Sequence, residues 1–279
     1  GGCITMPWID DVRGVLYAYL GGEAVGTATL DLLFGDVNPS GKLAETFPRR
    51  LEDNPSYLYF FGDEQNKTEY REGVFVGYRY YDKKNMDVLF PFGYGLSYTT
   101  FEYSNLTLDK SEMKDTDTLT VSVNVRNTGK VKGKEVVQLY VAKPESRTIR
   151  PIKELRGFEK VELEPGEEKT VTFTLAKRAF AYYRTDISDW YVESGDYTIM
   201  AAKSSRDIAC TATVNVTSTT QIKRVYTMNS TIEEIMESPV GREILGKMMA
   251  QNPLAQADAD DIGTVSYTHL RAHETELHL

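Results

Sequence analysis

Four stretches alternate apolar and polar residues with a period of two: Leu119, Val121, Val123 and Val125; Val137, Leu139 and Val141; Val171, Phe173 and Leu175; and Tyr197, Ile199 and Ala201. Successive side chains of an extended chain point to opposite faces, so each stretch predicts a strand buried on one side only. Such strands must pair and stack their apolar faces. Turn signals at residues 127–129, 164–166 and 194–196 separate them, and residues 103–217 therefore predict an antiparallel β-sandwich of roughly seven strands.

Upstream the period is helical. Val12, Val15, Leu16, Tyr19 and Leu20 follow Asp10 and Asp11 at helical spacing, predicting a capped amphipathic helix that Gly21 and Gly22 end. A second helix is predicted over residues 23–34, with Val25, Ala28, Thr29, Leu32 and Leu33 on one stripe and Gly35 as its terminator. A turn at residues 38–41 then leads into a short strand, residues 43–47, closed by Pro48. Two helices and a strand so closely spaced predict the end of an α/β domain, residues 1–53. Residues 54–102 read as a connector. Its aromatic side chains, among them Tyr57, Tyr59, Tyr70, Phe75, Tyr78, Tyr80 and Tyr81, are too many for a disordered linker, so it is expected to pack along a surface. Residues 218–262 read as a Ser/Thr-rich spacer and a helix over 231–249, with Thr231 as N-cap and Glu233 and Glu234 in its first turn. The remaining residues, 263–279, change composition abruptly and read as a non-native tail.

Thirty-two Lys and Arg stand against 41 Asp and Glu, for a net charge of -9. That balance repels polyphosphates and anionic membranes, so no nucleic-acid partner is expected, while neutral substrates remain open. No apolar run approaches the roughly 20 residues a membrane helix needs, so no membrane partner is expected either. Cys3 and Cys210 are the two cysteines. They offer neither a disulfide framework nor a metal half-site and are expected to be small buried hydrophobes. The sequence begins at Gly1 inside an apolar stretch, so the natural N-terminus is expected upstream, and the cytoplasm is favoured as the compartment. Nothing in the sequence fixes an oligomeric state.

Four strings occur in order: ITMPW at residues 4–8, GDVNPSGKLAETFP at 35–48, EGVFVGYRYYD at 72–82 and PFGYGLSYTTF at 91–101. Together they resemble the C-terminal half of the glycoside hydrolase family 3 β-glucosidases. Residues 127–129, 135–141, 150–157, 165–167 and 204–207 extend the likeness into the fibronectin type III-like domain of that family, with Ala202 standing where a glycine is usual. The resemblance implies a mixed α/β plus all-β fold, the C-terminal end of an α/β sandwich domain followed by a fibronectin type III-like sandwich. It also implies a parent enzyme that hydrolyses terminal β-D-glucosides or oligosaccharides with retention and without a cofactor. Retaining hydrolysis uses two carboxyl groups about 5–5.5 Å apart. In the resembled pattern both precede the MPW string, so the resemblance leaves no catalytic residue in this chain and implies that the chain alone is inactive. Two alternatives are a noncatalytic accessory or carbohydrate-binding module and a family 3 enzyme of other specificity, such as a β-xylosidase.

Ser188, Asp189 and Trp190 spell the triplet that surrounds the nucleophile in that family. A barrel nucleophile ends an apolar strand, whereas this triplet falls inside the sandwich and is expected to be an edge loop with Trp190 on the core. His269, His273, Glu274 and His278 invite a zinc reading. Three residues separate Glu274 from His278 where the zincin motif has two, so no metal site is expected. Gly21, Gly22 and Gly26 follow no strand and read as helix punctuation rather than a phosphate loop. Glu72 and Arg79, flanked by tyrosines, are the candidate substrate-binding residues, since charged groups and aromatic faces hold sugars. The competing and preferred expectation is a structural ion pair anchoring the connector to the catalytic lobes.

Overall fold

Val12, Val15, Leu16, Tyr19 and Leu20 do not form the predicted helix. In the computed structural model, which describes residues 2–60, 62, 67–222, 230–236 and 238–250, a single 3-10 turn at Ile9–Asp11 gives way to extended backbone at Val12. Residues 12–20 contain neither helix nor strand. Helical spacing alone is insufficient here. Gly14 costs about 1 kcal/mol in a helix interior, Val12 and Val15 are β-branched, and the five apolar side chains lie 40–87% exposed, so no packed face sustains the helix. The second predicted helix does form, as α1 (Val25–Phe34), and stops at Gly35, whose left-handed φ of 82° suits a residue without Cβ.

The predicted strand at 43–47 is reduced to one bridge, Phe47 to Phe90. Its backbone is nevertheless paired. Leu43 N–H donates to Tyr94 O and Gly93 N–H to Leu43 O, while Phe47 N–H donates to Phe90 O and Leu89 N–H to Phe47 O, all at 2.8 Å. Phe47 is fully buried. The connector carries one short helix, α2 (Tyr78–Lys83).

Ten strands follow among the described residues: β1 (Phe101–Leu108), β2 (Glu112–Lys114), β3 (Leu119–Asn127), β4 (Gly133–Ala142), β5 (Glu154–Leu163), β6 (Glu168–Leu175), β7 (Tyr182–Arg184), β8 (Asp189–Tyr191), β9 (Gly195–Ala202) and β10 (Ile208–Thr217), with α3 (Lys177–Phe180) between β6 and β7. A three-stranded sheet ordered β1-β3-β6 faces a five-stranded sheet ordered β2-β10-β9-β4-β5, and β7 pairs with β8. The alternation has the predicted cause: Leu119, Val121, Val123, Val125, Val137, Leu139 and Ile199 are all completely buried between the sheets. The pairing is not wholly antiparallel. β2 runs parallel to β10, with Glu112 opposite Asn215 and Lys114 opposite Thr217.

The described residues divide into two compact units, one ending at Gln221 and one beginning at Ile222. In the second, the helix predicted over 231–249 is two helices, α4 (Ile232–Met236) and α5 (Pro239–Ala250). Thr231 caps α4 as expected: its Oγ1 accepts from Glu234 N–H at 3.2 Å and its own N–H donates to the Glu234 carboxylate at 3.0 Å. Pro239 forces the break, because proline has no N–H to continue a ladder and sits best at a first helical position. His269, His273, Glu274 and His278, with the rest of the proposed tail, lie outside the described residues. Cys3 and Cys210 are free thiols, half-buried rather than buried, with Cys210 packed against the sandwich core.

The sandwich and connector bury phenols whose titration is linked to folding. Burial holds Tyr81, Tyr103 and Tyr140 well above the ordinary phenol range and pushes Tyr197 up to about 12. A group with a raised folded pKa contributes stability that is fully present below its unfolded pKa, here about 10, and is lost as pH rises through the folded value. Phenolate absorbance from these four is therefore expected only with unfolding, at a pH above the ordinary phenol range. Simultaneous titration of all 18 tyrosines near pH 10 with circular dichroism unchanged would contradict the burial.

Candidate functional site

The connector is fastened to the sandwich through α2. Gly77, at φ 60° and ψ -134°, turns the chain sharply into the helix, a conformation that costs a side chain dearly. That turn delivers Tyr78 to the sheet: its ring stacks on Phe92 at 4.8 Å, meets Tyr140 of β4 edge-on at 5.9 Å, and its hydroxyl accepts from Leu155 N–H at 2.8 Å. One turn later Asp82, its side chain 6% exposed, receives Lys153 at 2.8 Å on one oxygen and Arg206 at 3.1 Å on the other. Arg206 also donates to Met86 O at 2.7 Å. Gln138 of β4 donates to Gly93 O at 3.0 Å, and Ser205 N–H to Phe92 O at 2.9 Å. Farther along, buried Glu135 accepts from Tyr103 at 2.9 Å and pairs with Lys42 at 3.3 Å. Buried charges persist only when paired in this way.

Glu72 and Arg79 are not brought together, and no ion pair links them. Arg79 projects from α2 toward β5 and lies 3.8 Å from Glu154, a carboxylate that also meets Arg156 at 2.7 Å and Arg150 at 3.6 Å. The Arg79–Glu154 pair ties the connector to the sandwich. Glu72 lies before the turns at Gly73 and Gly77, half-buried, with its carbonyl accepting from Phe75 N–H at 2.9 Å. Its surroundings along the chain are open: Tyr70 is 88% exposed, and Val74 and Val76 are exposed too. Burial lowers the Arg156 guanidinium below its ordinary range, Glu154 opposing that shift, and raises the Tyr78 phenol.

Exposed large apolar side chains concentrate before residue 99, including Leu20, Leu33, Phe34, Leu51, Leu58 and Leu96, whereas the sandwich shows few. Where β4 ends and β9 begins lies a cleft of about 730 Å³ lined by Lys143, Arg147, Glu193, Asp196, Thr213 and Asn215, among others, with no aromatic ring in its lining. Residues 1–98 match the Glycosyl hydrolase family 3 C-terminal domain, and residues 135–205 match the Fibronectin type III-like domain. The chain belongs to glycoside hydrolase family 3. It is 56% identical over 262 residues to the thermostable β-glucosidase B of Acetivibrio thermocellus, covering 94% of this chain and 35% of that protein. It is 44% identical over 251 residues to the exo-α-(1→6)-L-arabinopyranosidase of Bifidobacterium breve, covering 90% and 32%. Its fold superposes on a family 3 β-glucosidase from Bifidobacterium adolescentis with a TM-score of 0.77 at 43% identity, covering 86% of this chain and 35% of that one. The family 3 chain thus spans about a third of the length of these relatives.

Within this family 3 chain the Ser188–Asp189–Trp190 triplet occupies the β7–β8 hairpin. Ser188 takes a φ of 52° in the turn, Asp189 accepts from Trp190 N–H at 2.7 Å, and Trp190 packs on the core with the Arg178 guanidinium 3.0 Å from its ring centre. Among the described residues, no group of three or more His, Cys, Asp and Glu is arranged to hold a metal, and no helix is long and apolar enough to cross a membrane. Asp82, Lys153 and Arg206 were not candidates from sequence. The available signal was position: Asp82 ends the 72–82 string, and Lys153 and Arg206 fall in two of the sandwich segments that carry the family likeness.

Proposed function

We propose that this chain is the C-terminal part of a retaining hydrolase of terminal β-D-glucosides whose nucleophile and acid/base lie in sequence outside this chain. The observation that carries the reading is the concentration of exposed apolar side chains in residues 4–98, the stretch with the family 3 C-terminal match. Each such side chain contributes about 1.5–3 kcal/mol when buried, so a face of this composition calls for a covering protein partner. The relatives carry about two thirds of their length beyond what this chain covers, enough to supply both the cover and the carboxyl pair. In this reading Arg79 anchors the connector, and Glu72, on the exposed turn, is the member of the pair placed to approach a sugar. In this reading residues 263–279 are an appended tail, as their abrupt change of composition suggests. Two free thiols favour a reducing compartment, the cytoplasm.

The accessory-module alternative is the weaker one, because the relatives from Acetivibrio thermocellus and Bifidobacterium breve are named as glycosidases and match nearly all of this chain. The test compares this chain with a longer gene product that restores the sequence before Gly1, using aryl β-glucoside, β-xyloside and α-L-arabinopyranoside. Turnover is expected from the longer protein alone, fastest on the glucoside. Turnover by the chain itself that Asp189→Ala abolishes would place the nucleophile in the β7–β8 hairpin and sink the proposal.

A further inference from the structure

The seam between α2 and β5 holds more positive charge than its carboxylate can neutralise. Arg79, Arg150 and Arg156 converge on Glu154, yet only Arg156 comes within hydrogen-bond length, at 2.7 Å; the other two stand off at 3.8 and 3.6 Å. Each guanidinium also keeps a buried nitrogen with no hydrogen-bond partner: Arg79 Nε, Arg150 Nη1 and Arg156 Nε. Buried donors are almost always paired, and charged ones most strictly, so three orphans in one cluster require an acceptor. Arg150 cannot turn outward to find water, because its side chain is 8% exposed and its guanidinium is held 5.5 Å from the Tyr182 ring. The cluster is open on one side, where the Arg79 side chain is 36% exposed. Planar guanidinium forks match oxyanions that offer two or more acceptor oxygens.

We propose that Arg79, Arg150 and Arg156 form a binding site for an oxyanion, a phosphate or carboxylate group, at the seam between α2 and β5. Bound there, the anion supplies the missing acceptors and bridges the connector to the sandwich, stiffening the segment that carries Glu72. The group comes either from a free anion or from an acidic side chain of a longer form of the protein; both use the same donors.

Inorganic phosphate is titrated into the purified chain against chloride at matched ionic strength, reading heat of binding and thermal midpoint. Saturable binding with a rising midpoint is expected. Arg150→Met should weaken it about tenfold or more, while Arg184→Met, whose guanidinium pairs with exposed Asp186 and lies over the Tyr191 ring rather than against Glu154, should leave it unchanged. Glu154→Gln should tighten it several-fold, because it removes the competing carboxylate; that variant and Arg79→Met carry the test if Arg150→Met does not fold. Phosphate that binds the chain but not the longer protein identifies the natural occupant as a protein carboxylate, and binding to both identifies a free anion. A shift that never saturates, that survives Arg150→Met and Arg79→Met, or that weakens in Glu154→Gln overturns the proposal.

Discussion

Asn127→Ala is expected to destabilise the sandwich by about 2–5 kcal/mol. Asn127 is fully buried, and its amide spends every polar atom: Oδ1 accepts from Thr99 Oγ1 at 2.6 Å and Gly129 N–H at 3.1 Å, while Nδ2 donates to Val131 O at 2.9 Å and Leu163 O at 3.0 Å. Truncation strands the buried Thr99 hydroxyl and the carbonyl of buried Leu163, at about 1–3 kcal/mol each, whereas Gly129 and Val131 lie nearer solvent. Asn127→Asp should be at least as damaging, since it keeps the acceptor but turns a second oxygen toward two carbonyls. Urea unfolding monitored by tryptophan fluorescence measures both. A cost under about 1 kcal/mol for the alanine would show that the four bonds are dispensable.

Asp82→Ala is expected to cost about 3 kcal/mol and to release α2. Removing one member of a buried ion pair leaves its partners uncompensated, at about 3–5 kcal/mol, and the lower end applies because Arg206 is 31% exposed and partly screened. The double variant with Lys153→Met should recover part of the loss, because it removes one of the two stranded cations. Limited proteolysis supplies a readout that global stability does not: cleavage within residues 67–86 should accelerate in Asp82→Ala well before the sandwich unfolds. Equal cleavage rates in variant and wild type would show that the Tyr78 contacts hold α2 by themselves.

The strands were legible where burial imposes alternation over several residues, as at Leu119, Val121, Val123 and Val125. β2, β7 and β8 escaped because three residues are too few to show a period, and the parallel pairing of β2 with β10 left no trace because a partner is not encoded in spacing. The helix read at Val12 to Leu20 failed for the converse reason: spacing was present, but Gly14 and the absence of a packed face outweighed it. At the candidate site, Arg79 stood out by its chemistry. Its true partner did not, being 75 positions away at Glu154, and Asp82 was passed over because its two cations come from β-domain loops at 153 and 206. Family likeness located these segments without saying which side chains meet.

The place of β10 in the five-stranded sheet sets a timetable for the chain as it is made. β10 lies between β2 and β9, so the sheet cannot close until the last strand of the sandwich has left the ribosome. β2 waits longest. Its residue Glu112 is synthesised about a hundred positions before its partner Asn215, and at about 5–20 residues per second that leaves an interval on the order of 5–20 s. β4 likewise waits for its in-sheet neighbour β9, whose Ala201 and Ile199 pair with Leu139 and Val141. A chain ending just short of Ile208 would therefore hold a sheet that lacks β10, with β2 unpaired and the edge of β9 open to other strands.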